Sequence, residues 1–123
     1  MPRNKPWSFA EQAAVCAAYW VLLRREMAGE PINKAEARRT VLPLLDDRSA
    51  GSYEMKMCNI SAMRASRDET WIKGYKPLGN AQKSLVDAFE YVDKVAPATT
   101  DEDVMNNTLL SPAVAYRQAL QED

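Results

Sequence analysis

The sequence predicts an all-α protein: a compact bundle of four to five helices with a helix-turn-helix-like arrangement and an acidic C-terminal segment. Three observations predict it. Apolar residues recur at alternating three- and four-residue spacing through the body of the chain, the period of a helical face. Helix-start signals precede these stretches, at Ser8-Phe-Ala-Glu11, Asn33-Lys-Ala-Glu36 and Ser49-Ala-Gly-Ser52. Glycine and proline follow them, at Gly29 and Pro31, Pro43, Gly74 to Gly79 and Pro97. With 123 residues and 13.8 kDa, the chain has the size of one domain with one core.

Ser8 to Glu11 reads as a capping box. The hydroxyl can accept from the Glu11 amide while the carboxylate reaches back. Behind it, Phe9, Ala13, Cys16, Trp20, Leu23 and Met27 fall on one helical stripe, predicting a helix over about residues 8–28. Arg24 and Arg25 suit its C-terminal turn. Asn33 caps a second helix with Val41, Leu42 and Leu45 inward and Lys34, Arg38 and Arg39 pointing away. Pro43 lacks an amide hydrogen, so this helix ends or kinks near Leu42. Ser49 and Ser52 are alternative caps for a third helix, which turns Tyr53, Met57, Ile60 and Met63 to one side. Residues 72–79 form a structured loop, and Trp71, Ile72, Tyr75 and Leu78 are apolar enough to pack it back on the helices. Asn80 is read as the cap of a fourth helix with Leu85, Val86, Phe89 and Val92 inward. Ser111-Pro112 starts a possible short terminal helix. The organisation is thus a helical body over 1–96 and an extension over 97–123.

Absent residue types bound the chemistry. The chain has no histidine, which excludes Ser-His-Asp and Cys-His triads, HNH nuclease centres and His-ligated zinc. Two cysteines, Cys16 and Cys58, cannot form a four-cysteine metal site and read as reduced core thiols. The four glycines are scattered, so no glycine-rich phosphate loop exists. No cofactor is expected, and an enzyme is disfavoured against a binding protein. No apolar run approaches the roughly 20 residues that cross a bilayer, and the N-terminus shows no secretory signal. The expected setting is cytoplasmic, away from membranes.

Charge is uneven. The net charge is −1. Residues 1–96 carry 15 Lys+Arg against 12 Asp+Glu, a balance of +3, and residues 97–123 carry one arginine against five acids, a balance of −4. A mildly basic body therefore carries an acidic tail.

Two runs carry a familiar signature: Arg48-Ser-Ala-Gly-Ser-Tyr-Glu-Met-Lys-Met-Cys-Asn-Ile-Ser-Ala62 and Ile72-Lys-Gly-Tyr-Lys-Pro-Leu-Gly-Asn-Ala-Gln82. Trp7, Glu11, Tyr19, Gly29 and Asn33-Lys34 precede them in a matching order. Over about residues 7–92 the pattern resembles the helical N-terminal module of HNH-type restriction endonucleases that target modified DNA. The chain departs from that family after Ala62, where Met63 is followed by Arg64, and in the charged segment Arg67-Asp-Glu-Thr70. The tail after 97 has no counterpart, and the nuclease domain is missing. The resemblance implies the fold and a DNA-facing surface, and it does not imply cleavage.

The candidate surface follows. Arg48, Ser49, Ser52 and Lys56 lie around a helix start, where free amides and the helix dipole favour an anion. Asn59 can pair with an adenine edge. Lys73, Tyr75 and Lys76 suit phosphate and sugar contacts, and Arg38 and Arg39 extend the patch. Each has a bland alternative. Arg48 can pair with Asp46, Asp47 or Glu54. Asn59 and Ser61 can satisfy backbone groups of the 72–79 loop. Tyr75 and Trp71 can be core, and Glu54 with Lys56 a solvated face. The expected partner is double-stranded DNA, in a phage or mobile-element setting. The alternative is a phage-encoded inhibitor of a bacterial defence complex, CRISPR or restriction, acting by protein contact or DNA mimicry through Asp101, Glu102 and Asp103. A homodimer is allowed, because Tyr19 and Trp20 point to different faces of the first helix.

Overall fold

A computed structural model describes residues 5–95 of the chain. Those residues form four α-helices and no strand: α1 Phe9–Met27, α2 Lys34–Val41, α3 Ala50–Ser66 and α4 Lys83–Val95, with a short 3-10 turn Leu42–Leu44 after α2. The expected all-α bundle is what forms.

Local chemistry sets most helix ends. Ser8 Oγ accepts from the Glu11 amide at 3.1 Å, and Glu11 Oε1 accepts from the Ser8 amide at 3.0 Å. Both halves of the capping box are therefore made. Gly29, at φ +80°, lets the chain leave α1 in the left-handed region. Asn33 Oδ1 accepts from the Glu36 amide at 2.9 Å. Pro43 falls in the 3-10 turn directly after Val41, where its missing amide costs no α-helical bond. Of the two possible caps for α3, Ser49 is used, accepting from the Ser52 amide at 3.0 Å. Helix α4 starts at Lys83. Asn80 is therefore not its cap, and the Gln82 carbonyl takes the first amides, those of Leu85 and Val86.

Helix α1 is the centre of the bundle. Every residue from Glu11 to Leu23 is buried, so the helix is covered all round rather than along one stripe. Small side chains make that possible: Ala13, Ala14, Cys16, Ala17 and Ala18 let neighbours approach closely on several sides. Helices α2, α3 and α4 all pack against α1, with α4 the most extensively. Helices α2 and α3 keep the helix-turn-helix order, but each rests on α1 more than on the other. Tyr19 and Trp20 are both buried within the fold, so neither is left for a dimer contact. Cys16 is buried, Cys58 is half-buried, and both are free thiols.

The 67–82 connection packs back as expected. Ile72 and Tyr75 are buried, and Trp71 is half-buried. Leu78 is 45% exposed, so its side chain is not part of the core. The loop is held mainly by polar ties. The Ile72 amide donates to the Tyr19 hydroxyl at 3.0 Å, and that hydroxyl pairs with Ser61 Oγ at 2.8 Å. The Lys73 amide donates to Glu26 at 3.0 Å, and Asn59 Nδ2 donates to the Leu78 carbonyl at 2.7 Å. Segment 97–123 lies outside the described residues. It includes Asp101, Glu102, Asp103 and the helix start at Ser111.

Candidate nucleic-acid interface

The start of α3 was the expected anion site, and its polar atoms are already committed. Arg48 lies under the N-terminal strap. Its Nε donates to Glu11 Oε2 at 2.9 Å and its Nη2 to Glu11 Oε1 at 3.0 Å. Nη1 and Nη2 also donate to the carbonyls of Lys5 and Pro6, at 2.8 and 3.0 Å. The guanidinium stacks over the Trp7 ring at 4.7 Å. Both side chains of the Arg48–Glu11 pair are only 8% exposed. Burial on its own pushes the Glu11 carboxyl up. The Arg48 hydrogen bonds, the Asp46 and Ser8 amides and the Arg48 charge outweigh it and hold Glu11 at about 2. Arg48 is thus a structural clamp whose partner is Glu11, not Asp46, Asp47 or Glu54.

The neighbouring candidates are spent in the same way. Ser49 Oγ caps the helix and donates to Ser52 Oγ at 3.1 Å. Lys56 is half-buried with its ammonium 5.0 Å from the Trp7 ring centre, so Trp7 is flanked by two cations. Burial and then the like charge of Arg48 push the Lys56 pKa down. Asn59 serves the Leu78 carbonyl, the loop-satisfying role weighed above, whereas Ser61 pairs with the Tyr19 hydroxyl and not with a loop backbone group. Tyr75 is buried, with its ring under the Lys34 ammonium at 4.6 Å. It is a core residue and offers no stacking platform.

A different set of cations is free. Lys34 Nζ donates to the Gly74 carbonyl at 2.8 Å, joining the first turn of α2 to the 72–76 loop. The approach is close enough that a Cβ on Gly74 would stand 3.1 Å from Lys34 Cδ. Arg38 lies one turn after Lys34 on α2, with Arg39 beside it, and Lys73 and Lys76 flank Gly74 and Tyr75. Arg39, Lys73 and Lys76 are exposed and Arg38 is half-buried. None of the four has an ion-pair partner among the described residues. Several other surface cations do. Lys5 pairs with Asp46, Arg67 with Glu90 and Lys83 with Asp87.

No family model, curated protein or solved structure matches this chain. The functional reading therefore rests on the chemistry of this face. Four unpaired cations around one turn of helix and one loop can hold phosphate oxygens as point charges and guanidinium forks. Lys34 was missed as part of the site, because only the fold shows that it bridges to Gly74. Among the described residues no cluster of His, Cys, Asp or Glu could hold a metal ion, and no helix is long and apolar enough to cross a membrane.

Proposed function

We propose that this chain is a non-catalytic DNA-binding protein whose contact surface is the α2 and 72–76 loop face, not the start of α3. The observation that carries the reading is the Lys34–Gly74 bond, which ties the helix that carries Arg38 and Arg39 to the loop that carries Lys73 and Lys76, with none of the four in an ion pair among the described residues. Phosphate contacts of this kind position a protein on a duplex and supply salt-sensitive affinity. The mild positive balance of the body fits a modest binder rather than an avid one. The two unpaired cysteines fit a cytoplasmic setting.

The test is a fluorescence-anisotropy titration of the full chain with short duplexes, unmodified and cytosine-methylated, at about 50 and 200 mM salt. Four phosphate contacts give a salt slope near −3.6 and a loss of roughly 150-fold in affinity across that range. The Lys73→Ala/Lys76→Ala variant is expected to lower the slope by about 2 while keeping its melting temperature. No binding at the lower salt overturns the reading and turns attention to a protein partner. A preference for methylated duplex would support the resemblance to modified-DNA enzymes.

A further inference from the structure

The segment that follows α3 holds one tryptophan firmly and leaves its ring unused. The backbone is tied on both sides of Trp71. The Thr70 carbonyl accepts from Arg64 Nε, and the Ile72 and Lys73 amides donate to the Tyr19 hydroxyl and to Glu26, each at 3.0 Å. The turn before it is closed by the Asp68 and Glu69 amides, which donate to the Ala65 and Arg64 carbonyls at 3.1 and 2.8 Å. The other two tryptophans are covered by cations of this chain, Trp7 by Arg48 and Lys56 and Trp20 by Arg24. The half-buried Trp71 ring has no cation and no aromatic partner among the described residues, and its indole N–H makes no hydrogen bond there. It lines an open groove of about 510 Å³ with Ala65, Asp68, Glu69, Thr70 and Lys73. That lies within the roughly 300–1,000 Å³ of small-ligand sites. The lining is mixed in charge. Asp68 and Lys73 are exposed and in no ion pair among the described residues, whereas Glu69 pairs with Arg64 at 3.5 Å. A purely cationic ligand would meet the Lys73 ammonium, and a purely anionic one the two carboxylates. A nucleotide answers every group: a flat base for the indole face, an exocyclic amino donor for a carboxylate and a phosphate for the ammonium.

We propose that this groove takes one unpaired nucleobase, stacked on Trp71, with its exocyclic amino group donating to Asp68 and its phosphate held by Lys73. This deepens the DNA-binding reading and rests on it for contact with the duplex. The base site itself needs only a nucleotide outside the stack. Trp71 is already fixed by the hydrogen bonds that flank it, so stacking on it costs little ordering. Cytosine carries an amino donor at N4 where thymine has an acceptor, so Asp68 favours cytosine of the two.

The test titrates the full chain at low salt with three probes: a matched duplex, the same duplex with one cytosine opposite an abasic site, and the same with a thymine in that place. An orphan base leaves the stack at little cost. The orphan cytosine should tighten binding roughly fivefold or more over the matched duplex, the low end of what stacking on one aromatic ring supplies. It should also quench tryptophan fluorescence. Trp71→Phe keeps a ring, so it should lose the quenching and keep most of the gain. Trp71→Ala should bring the ratio of orphan to matched affinity close to one. Asp68→Gly removes the carboxylate at an exposed position whose φ of +58° glycine adopts freely, so the fold is kept. It should retain the gain and lose the preference for cytosine over thymine. An unchanged preference overturns the role of Asp68. Binding of matched duplex with no gain from an orphan base, or a gain that survives Trp71→Ala, overturns the base site and leaves the DNA reading standing. Binding of the orphan duplexes alone supports the base site and overturns the duplex face. No binding of any probe overturns both.

Discussion

Arg48→Ala should destabilise this protein rather than silence a binding site. The side chain satisfies both oxygens of Glu11 and two strap carbonyls, and it covers Trp7. Removing it leaves a carboxylate that is 8% exposed without its counter-charge. The fall of the Glu11 pKa from 4.5 to about 2 corresponds to about 3 kcal/mol at neutral pH. Breaking a buried pair by deleting one partner costs about 3–5 kcal/mol in general, so the two figures agree. For an ordered body of this size, about 3 kcal/mol is a melting point lower by roughly 12–24 °C. Urea unfolding at pH 7, followed by tryptophan fluorescence, measures it. The acid arm gives an independent check. Glu11 titrates lower in the folded state, so the unfolded chain takes up the proton first. The stability it supplies is whole above about pH 5 and is lost as the pH falls toward 2. Arg48→Ala should flatten that part of the profile. Replacing both partners, as in Glu11→Leu/Arg48→Met, should be milder than Arg48→Ala alone. A loss below about 1 kcal/mol in Arg48→Ala, or an unchanged acid profile, would refute the clamp.

Four further outcomes follow from the loop, its buried hydroxyls and the thiols. Tyr19→Phe should cost about 2 kcal/mol or more, since it strands the Ser61 hydroxyl and the Ile72 amide, and hydrogen exchange at Ile72 should quicken. Tyr75→Phe should cost little under the same urea assay, because the buried Tyr75 hydroxyl faces only the Tyr53 hydroxyl and makes no hydrogen bond of normal length. Gly79→Ala should cost more than about 1 kcal/mol, as its φ is +68° and the new Cβ would stand 2.8 Å from Asn59 Nδ2. In Asn59→Ala the clash disappears and only the backbone part of that cost should persist. A thiol reagent at pH 8 should label Cys58 on the native protein but Cys16 only on unfolding, because Cys16 is fully buried and burial drives its thiol far up. Equal labelling rates would contradict the packing of α1.

What the sequence made legible was whatever local chemistry decides. The Ser8 box, the Asn33 cap, the stop at Val41 before Pro43 and the face of α3 carrying Tyr53, Met57, Ile60 and Met63 each depend on residues within one or two turns. What stayed hidden depends on distant pairing. Glu11 is 37 residues from Arg48 and already had a local role in the capping box, so nearer acids looked like the partners. The all-round burial of α1 was hidden for another reason. Alanine and cysteine show no preference between faces, so only the large side chains marked a stripe, and cover on the remaining sides comes from other elements. The Asn80 cap failed because Asn also suits a turn or an extended loop, and the helix waits for Lys83.

The displacement of the candidate interface has the same origin. A residue type that binds DNA well also caps and clamps well, because both tasks need donors, charge and a short reach. At the start of α3 the fold uses them: Arg48 for Glu11, Ser49 for the helix cap, Asn59 for Leu78. Substitution there should therefore move stability and binding together. Arg38, Arg39, Lys73 and Lys76 are in no ion pair among the described residues, so substitution there should move binding alone. Measuring both quantities for both sets turns that contrast into a test. If Lys73 and Lys76 can be removed without loss of duplex affinity while a stable Ser52→Ala variant loses it, the interface lies at the start of α3 after all. The free-cation argument then falls, because donors engaged in the free protein would have to be released on binding.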